Sequence, residues 1–315
     1  MKRLLFPAIA VASMLLAAVG LTGSGQTTPA PTQPPNPTPN VFVVFLGTGM
    51  PAPNPHRQGP SLAVVANGKP YIVDAGVGLV RQAQAAVRER GIHALALGQL
   101  DIAFLTHLHS DHTLGLPDLI FTPWLVRTVP LQLYGPTGTK AMADNIEKAY
   151  AEDIYVRTHA PDPLSETGHQ VVVHEIQPGL VYSDDNVKVT AFAARHGIWK
   201  QALGYRFDAG GKSIVISGDT APSQSIVEAC KGCDILVHEA YFGNPGSAGS
   251  REYFSTFHTS AEELGAIAAQ AHPKLLVLDH TMPMEDVGEA KLLEGIRQKF
   301  QGPVIVAEDL DVIAP

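Results

Sequence analysis

Apolar residues recur along this chain at two periods, and the switching between them sets the expected architecture. Runs at Val41–Leu46, Leu62–Ala66 and Tyr71–Asp74 are short, apolar and rich in β-branched residues, with Asn67-Gly68 as a turn between the second and third. These predict paired strands. Helical spacing follows over Leu79–Arg90, closed by Gly91, and then another apolar run at Ile102–Thr106. Further strands are expected at Val129–Tyr134, Val171–Ile176, Val187–Ala193, Ser213–Ser217, Ile235–His238 and Leu275–Leu278. Helices are expected near Thr139–Ala151, Ser223–Ala229, Ser260–Ala271 and Val287–Phe300. Many strands and few helices alternate through one uninterrupted region. The pattern predicts an α/β fold of two sheets packed on each other with helices outside, rather than a dinucleotide-binding sheet with its glycine fingerprint.

The N-terminus follows a different rule. Lys2 and Arg3 precede an apolar run from Ala8 to Val19 and then small residues up to Gly25, the order of a secretory signal and too short to span a bilayer. Residues 1–25 are read as a signal peptide, 26–40 as a Pro/Thr-rich linker and 41–315 as the folded domain. The expected location is periplasmic or secreted, with no membrane span in the mature protein. Loss of Lys2 and Arg3 leaves 20 basic residues against 30 acidic ones, and no block of consecutive Lys or Arg occurs. Nucleic acid is therefore not expected as a partner. Cys230 and Cys233 form a single C-x-x-C, for which a disulfide and a pair of buried thiols both stay open.

The chemistry concentrates after one strand. Thr106-His107-Leu108-His109-Ser110-Asp111-His112 holds three histidines and an aspartate within six positions. Alternation puts His107 and His109 on one side of an extended segment, while Asp111 and His112 enter a turn and aim at a second point. Four such donors gathered without a cation would carry a heavy desolvation cost, so the loop is read as a metal site. His196, Asp219 and His280 stand after three of the expected strands. Singly each reads equally well as a loop residue or a helix cap; jointly they complete two coordination spheres.

This order of motifs resembles the metallo-β-lactamase fold superfamily, in particular its HxHxDH hydrolases, over residues 41–315. The resemblance implies a four-layer αβ/βα sandwich with two Zn2+ at one edge of the sheets. His107, His109 and His196 would hold one ion, Asp111, His112 and His280 the other, and Asp219 would bridge them. Other divalent transition metals stay open. Phe45-Leu46-Gly47-Thr48-Gly49, Val237–Phe242 and His258-Thr259-Ser260 look like ribonuclease Z motifs. Ribonuclease Z carries a tRNA-gripping arm between the histidine and the bridging aspartate, whereas His196 and Asp219 are only 23 positions apart. Arg57–Ser61, Thr106–Trp124 and Ser217–Pro222 resemble the exported arylsulfatases of the same fold.

The expected function is thus an exported dinuclear zinc hydrolase of small anionic esters, arylsulfatase-like, using a metal-bridging hydroxide. The alternative is a phosphodiesterase with ribonuclease Z-like chemistry on small substrates, or a lactonase or β-lactamase. Beside Asp111, the resemblance implies that His258 steadies the transferring group or protonates the leaving oxygen, with Glu239 or His238 orienting it. Asp74 is expected either to orient a ligand histidine or to cap a turn, and Trp124, Trp199 and Tyr241 to wall the substrate pocket. A homo-oligomer is compatible with all of this.

Overall fold

The computed structural model describes residues 40–284 and 288–315. The expected signal peptide, the linker up to residue 39 and Val287 lie outside the described residues. Among those described, no helix is long and apolar enough to cross a membrane.

The first strand explains the rest of the architecture. β1 (Val41–Gly47) is buried along its whole length. Val41, Val43 and Phe45 face one apolar layer, and Phe42, Val44 and Leu46 face another. A strand covered on both faces reads as a continuous apolar run rather than an alternating one. β2 (Ser61–Ala66), β3 (Lys69–Val73), β4 (Ile102–Phe104), β5 (Leu131–Gly135) and β6 (Val171–Glu175) extend its sheet, and β14 (Val312–Ile313) closes the other edge. The second sheet runs through β7 (Gly179–Ser183), β8 (Lys188–Ala194), β9 (Ala202–Ala209), β10 (Lys212–Ile216), β11 (Ile235–Phe242), β12 (Leu275–Pro283) and β13 (Val304–Val306).

Three apolar layers hold four structural ones. Phe45, Phe104, Tyr205, Phe207 and Ile214 pack between the sheets. Behind the first sheet lie α1 (Leu79–Arg90), α2 (Ser110–Thr113), α3 (Leu116–Phe121), α4 (Thr139–Ala149) and α5 (Ala151–His159), where Leu79, Leu116, Ile120 and Ala143 fill the second layer. Behind the other sheet α6 (Gln224–Cys230), α8 (Ala261–Ala271) and α9 (Glu289–Arg297) place Ile226, Leu264 and Leu292 in the third, whereas α7 (Ala248–Phe257) adds no residue to that layer and runs beside His196 and Gly197. This is the expected helix–sheet–sheet–helix sandwich.

Parallel pairing of β3 to β6 and of β10 to β13 brings the carboxyl ends of β4, β10, β11 and β12 to one edge. Crevices at such ends are where ligands bind in α/β sheets. β7, β9, β13, β14, α3, α5 and α7 were not anticipated. The expected strand at Val129 starts two residues later because Pro130 lacks the N–H that pairing needs. Cys230 and Cys233 are joined as a disulfide where α6 turns toward β11.

Candidate metal centre

One aspartate clamps both ends of the histidine loop. Asp74, at φ 60° just past β3, accepts from Thr106 N at 2.8 Å and from Thr106 Oγ1 at 2.8 Å. The same carboxylate accepts from His112 Nδ1 at 2.9 Å. Of the two roles left open for Asp74, the geometry shows it holding His112. A non-glycine residue in this region is strained, and strain of this kind concentrates at functional sites.

Two of the rings are aimed by backbone carbonyls on the side opposite the donor nitrogen. His196 Nδ1 donates to Phe257 O at 2.7 Å and His280 Nδ1 to Gly49 O at 2.7 Å. Those bonds place the proton on Nδ1 and leave the Nε2 lone pair free. His109 Nδ1 lies 3.0 Å from both His107 Nε2 and His196 Nε2. Tetrahedral ligands at zinc distances are separated by about 3.3 Å, so these three nitrogens sit close to a metal cage already.

The second group gathers around the same aspartate. Ligand atoms of Asp111, His112 and His280 lie within 4.8 Å of one another. His112 Nε2 and His280 Nε2 are buried with no hydrogen-bond partner. They face Asp219 at 3.4 Å and 3.3 Å and Asp111 at 3.5 Å and 3.6 Å. Asp219 also reaches to 4.0 Å from His196 and so stands between the two groups. Orphaned buried lone pairs around two carboxylates fit a divalent cation.

Titration behaviour agrees with the geometry. Burial, opposed only in part by Asp219, lowers His196 to about 4 and holds His107 well below its usual value. Both are neutral, the form that ligates. Burial would also lower His280, but Asp219 outweighs it and raises the ring to about 9; His112 is raised for the same reason. The carboxylates there demand positive charge, which a metal ion supplies.

Backbone shape matters as much as donor type. Gly218 has φ 59°, and a Cβ there would meet Thr106 Cβ at 2.8 Å, so only glycine lets the turn after β10 present Asp219 against the loop. Gly47 and Gly49 lie under the 57–59 segment, where added Cβ atoms would meet Gly59 O at 2.0 Å and Gln58 O at 2.6 Å. This close approach delivers the Gly49 carbonyl to His280.

The remaining expected residues separate by position. His258 is buried, with Nδ1 3.4 Å from Glu239 and 3.9 Å from Asp219. Burial works against its charged form, but the Glu239 contact and charge outweigh it and raise the pKa. Glu239 Oε1 accepts from Thr220 N and Thr259 N, fixing the carboxylate. His238 donates instead to the Glu239 carbonyl at 2.6 Å and is lowered to about 4 by burial. Glu239, not His238, therefore faces His258.

Trp199 is half-exposed, and its indole N–H reaches His109 Nε2 at 2.9 Å. Trp124 is no pocket wall. It is buried against His169 and Phe121 and gives its N–H to Ser165 O at 2.7 Å, because the chain after α3 folds into the core. Tyr241 packs on Phe254 at 5.2 Å, a contact of β11 with α7. Sequence reasoning missed Tyr253 and Phe257, since α7 itself was not anticipated. It also missed Arg127, buried and donating to the carbonyls of Leu100, Leu119, Ile120 and Gly168.

A family model for the β-lactamase superfamily domain matches residues 70–281, which contain every donor described above. The chain belongs to the metallo-β-lactamase superfamily. Within it, ribonuclease Z of Mycobacterium marinum is 32% identical over 284 residues, covering 86% of this chain and 97% of that enzyme. The human tRNase Z short form superposes with a TM-score of 0.64 at 26% identity, over 87% of this chain and 98% of that one. YhfI of Bacillus subtilis, at TM-score 0.64 and 20% identity over 87% and 99%, shares the fold.

These relatives overturn the sulfate-ester expectation, and with it that of a small ester substrate and no nucleic-acid partner. Curated relatives matching most of this chain at 31–32% identity are named ribonuclease Z. Three physical reasons account for the error. Segments 57–61 and 217–222 serve backbone packing and metal-loop presentation, needs that follow from the fold rather than from the ester. The short 196–219 interval does not set the chain apart from a ribonuclease Z whose length it covers almost entirely. Net charge averages the whole surface, whereas Arg195, Lys200 and Arg251 are exposed close to His196 or on neighbouring α7.

Proposed function

We propose that this protein is a phosphodiesterase of ribonuclease Z type, acting on RNA with two Zn2+ held by His107, His109, His196 and by Asp111, His112, His280, with Asp219 between them. The observation that carries the reading is the pair of donor groups meeting at one buried carboxylate, in a chain 32% identical to a ribonuclease Z over most of its length. Bound divalent ions lower the pKa of water and polarise a phosphoryl oxygen. The chain's own residues supply the rest. Asp74 and the carbonyls of Gly49 and Phe257 fix the rings, so little reorganisation is needed when charge develops. His258, held by Glu239, stands beside Asp219 where it can deliver a proton to the leaving oxygen.

The test is metal-dependent hydrolysis. The metal-loaded full chain is expected to cleave a tRNA transcript and bis(p-nitrophenyl) phosphate, to lose both activities on chelation and to regain them with added zinc. Metal analysis is expected to give two ions per chain. A metal-loaded protein that cleaves neither diester, or an aryl sulfate alone, overturns the reading.

A further inference from the structure

An aromatic cleft adjoins the metal centre, and none of the chemistry above uses it. The 196–200 loop forms one wall and α7 the other, so that Ile198, Trp199, Tyr253 and Phe257 line a cavity of about 680 Å³ beginning at His196. That volume suits a small organic group rather than an ion or a few waters. Its rings are fixed in place. Tyr253 and Phe257 stack at 4.4 Å and 17°, and Phe257 sets its edge on His196 at 5.1 Å. Tyr253 also lies 5.9 Å from His258. Gly197, at φ 55°, makes the arrangement feasible, because a Cβ there would fall 2.0 Å from the Phe257 ring.

Two cations stand beside the aromatic rings although the molecule is acidic. Arg195 lines the same cavity and is tethered to Pro222 O at 3.0 Å, and Lys200 lines a neighbouring cavity on the other side of Trp199. Glu252 is the one acidic residue among the lining side chains of the first cavity. Flat rings with cations nearby, adjoining an anion-seeking centre, match a nucleotide chain: a π-face for the rings and phosphates for the guanidinium and ammonium groups. Aliphatic ligands would have no use for the ring geometry.

We propose that this cleft holds the base of the nucleotide next to the scissile phosphodiester, stacked on Trp199 and Tyr253, with Arg195 on an adjoining phosphate. The inference rests on the phosphodiesterase reading above. Stacking accepts any base, so the cleft would confer a requirement for a nucleotide without sequence preference.

Two measurements decide it. In the metal-loaded full chain, AMP is expected to quench tryptophan emission and ribose 5-phosphate to leave it unchanged. The AMP response is expected to vanish in Trp199→Phe, which keeps only buried Trp124. Equal responses to the two ligands overturn the cleft. In hydrolysis, a diadenosine diester is expected to exceed its abasic analogue in kcat/KM by about 5- to 150-fold, the equivalent of ~1–3 kcal/mol per stacked base. That ratio is expected to collapse in Tyr253→Ala and to return largely in Tyr253→Phe. A wild-type ratio near unity, or an undiminished ratio in both Tyr253→Ala and Trp199→Ala, overturns it too. Failure to hydrolyse any diester refutes instead the phosphodiesterase reading, and the emission titration still decides the cleft.

Discussion

At the scale of single residues, removing a donor and removing a proton-transfer group leave different signatures. His109→Ala deletes the nitrogen that His107 and His196 both face at 3.0 Å, and is expected to lower metal stoichiometry and abolish hydrolysis together. His258→Ala leaves all seven donors and is expected to keep the metal while losing about 10²–10⁴ in rate. Metal analysis beside initial rates separates the two, and full rate in either variant removes its role. Trp199 offers a third test. An indole N–H only donates, so its contact with His109 needs an unprotonated Nε2, whereas ligation through Nδ1 leaves the proton on Nε2. Metal titration is therefore expected to change Trp199 emission, with no change in Trp199→Phe; a silent wild type contradicts ligation through Nδ1. The donors were legible because imidazole and carboxylate in such density have few other uses. The Gly49 and Phe257 carbonyls that aim them were not, since any residue carries a carbonyl.

At the scale of elements, turns decide whether those donors meet. Gly218→Ala is expected to destabilise the protein by about 1–3 kcal/mol, because alanine must adopt a left-handed backbone and its Cβ collides with Thr106. Denaturant unfolding measures the loss, and an unchanged midpoint contradicts the packing described. Ser260 begins α8 through a capping box with Glu263, immediately after His258 and Thr259. Ser260→Ala is expected to cost about 0.5–2 kcal/mol while leaving metal content intact, which assigns the serine of that motif to the helix rather than to chemistry. β1 to β5 were readable from their apolar runs. β9 was not anticipated although Leu203, Tyr205 and Phe207 turn inward in alternation with Gly204, Arg206 and Asp208, the period of a strand with one face on the core. α7 is bounded by Gly246 and His258 and built from Ser, Tyr, Phe and Thr, residues of modest helix propensity, so local signals alone do not declare it.

Across the whole molecule, one polar clasp joins the two sheets away from the metal centre. Asp184, after β7, accepts from Tyr71 Oη at 2.7 Å and Lys69 Nζ at 2.9 Å, both on β3, and from Tyr182 Oη at 2.9 Å. Burial opposes its ionised form, but these bonds outweigh burial and hold the carboxyl well below the usual range. An acid whose folded pKa is depressed stabilises the fold above its unfolded value, near 3.9, and the gain is lost as pH falls through the folded value. Asp184→Asn is thus expected to lower Tm at pH 7, with the gap to wild type closing as pH drops below about 4. Thermal unfolding across that range reads the effect, and a gap independent of pH contradicts it. The amino-acid sequence by itself determined the layered α/β architecture and pointed to the histidines and aspartates that the fold gathers, because apolar periodicity and donor chemistry are local properties. Only the tertiary structure decided that Asp219 stands between two donor groups, that Glu239 rather than His238 serves His258, and that Trp199 meets His109 while Trp124 is core. Those outcomes depend on which loops the parallel strands bring to one edge, a long-range consequence of sheet order that no local window of residues contains.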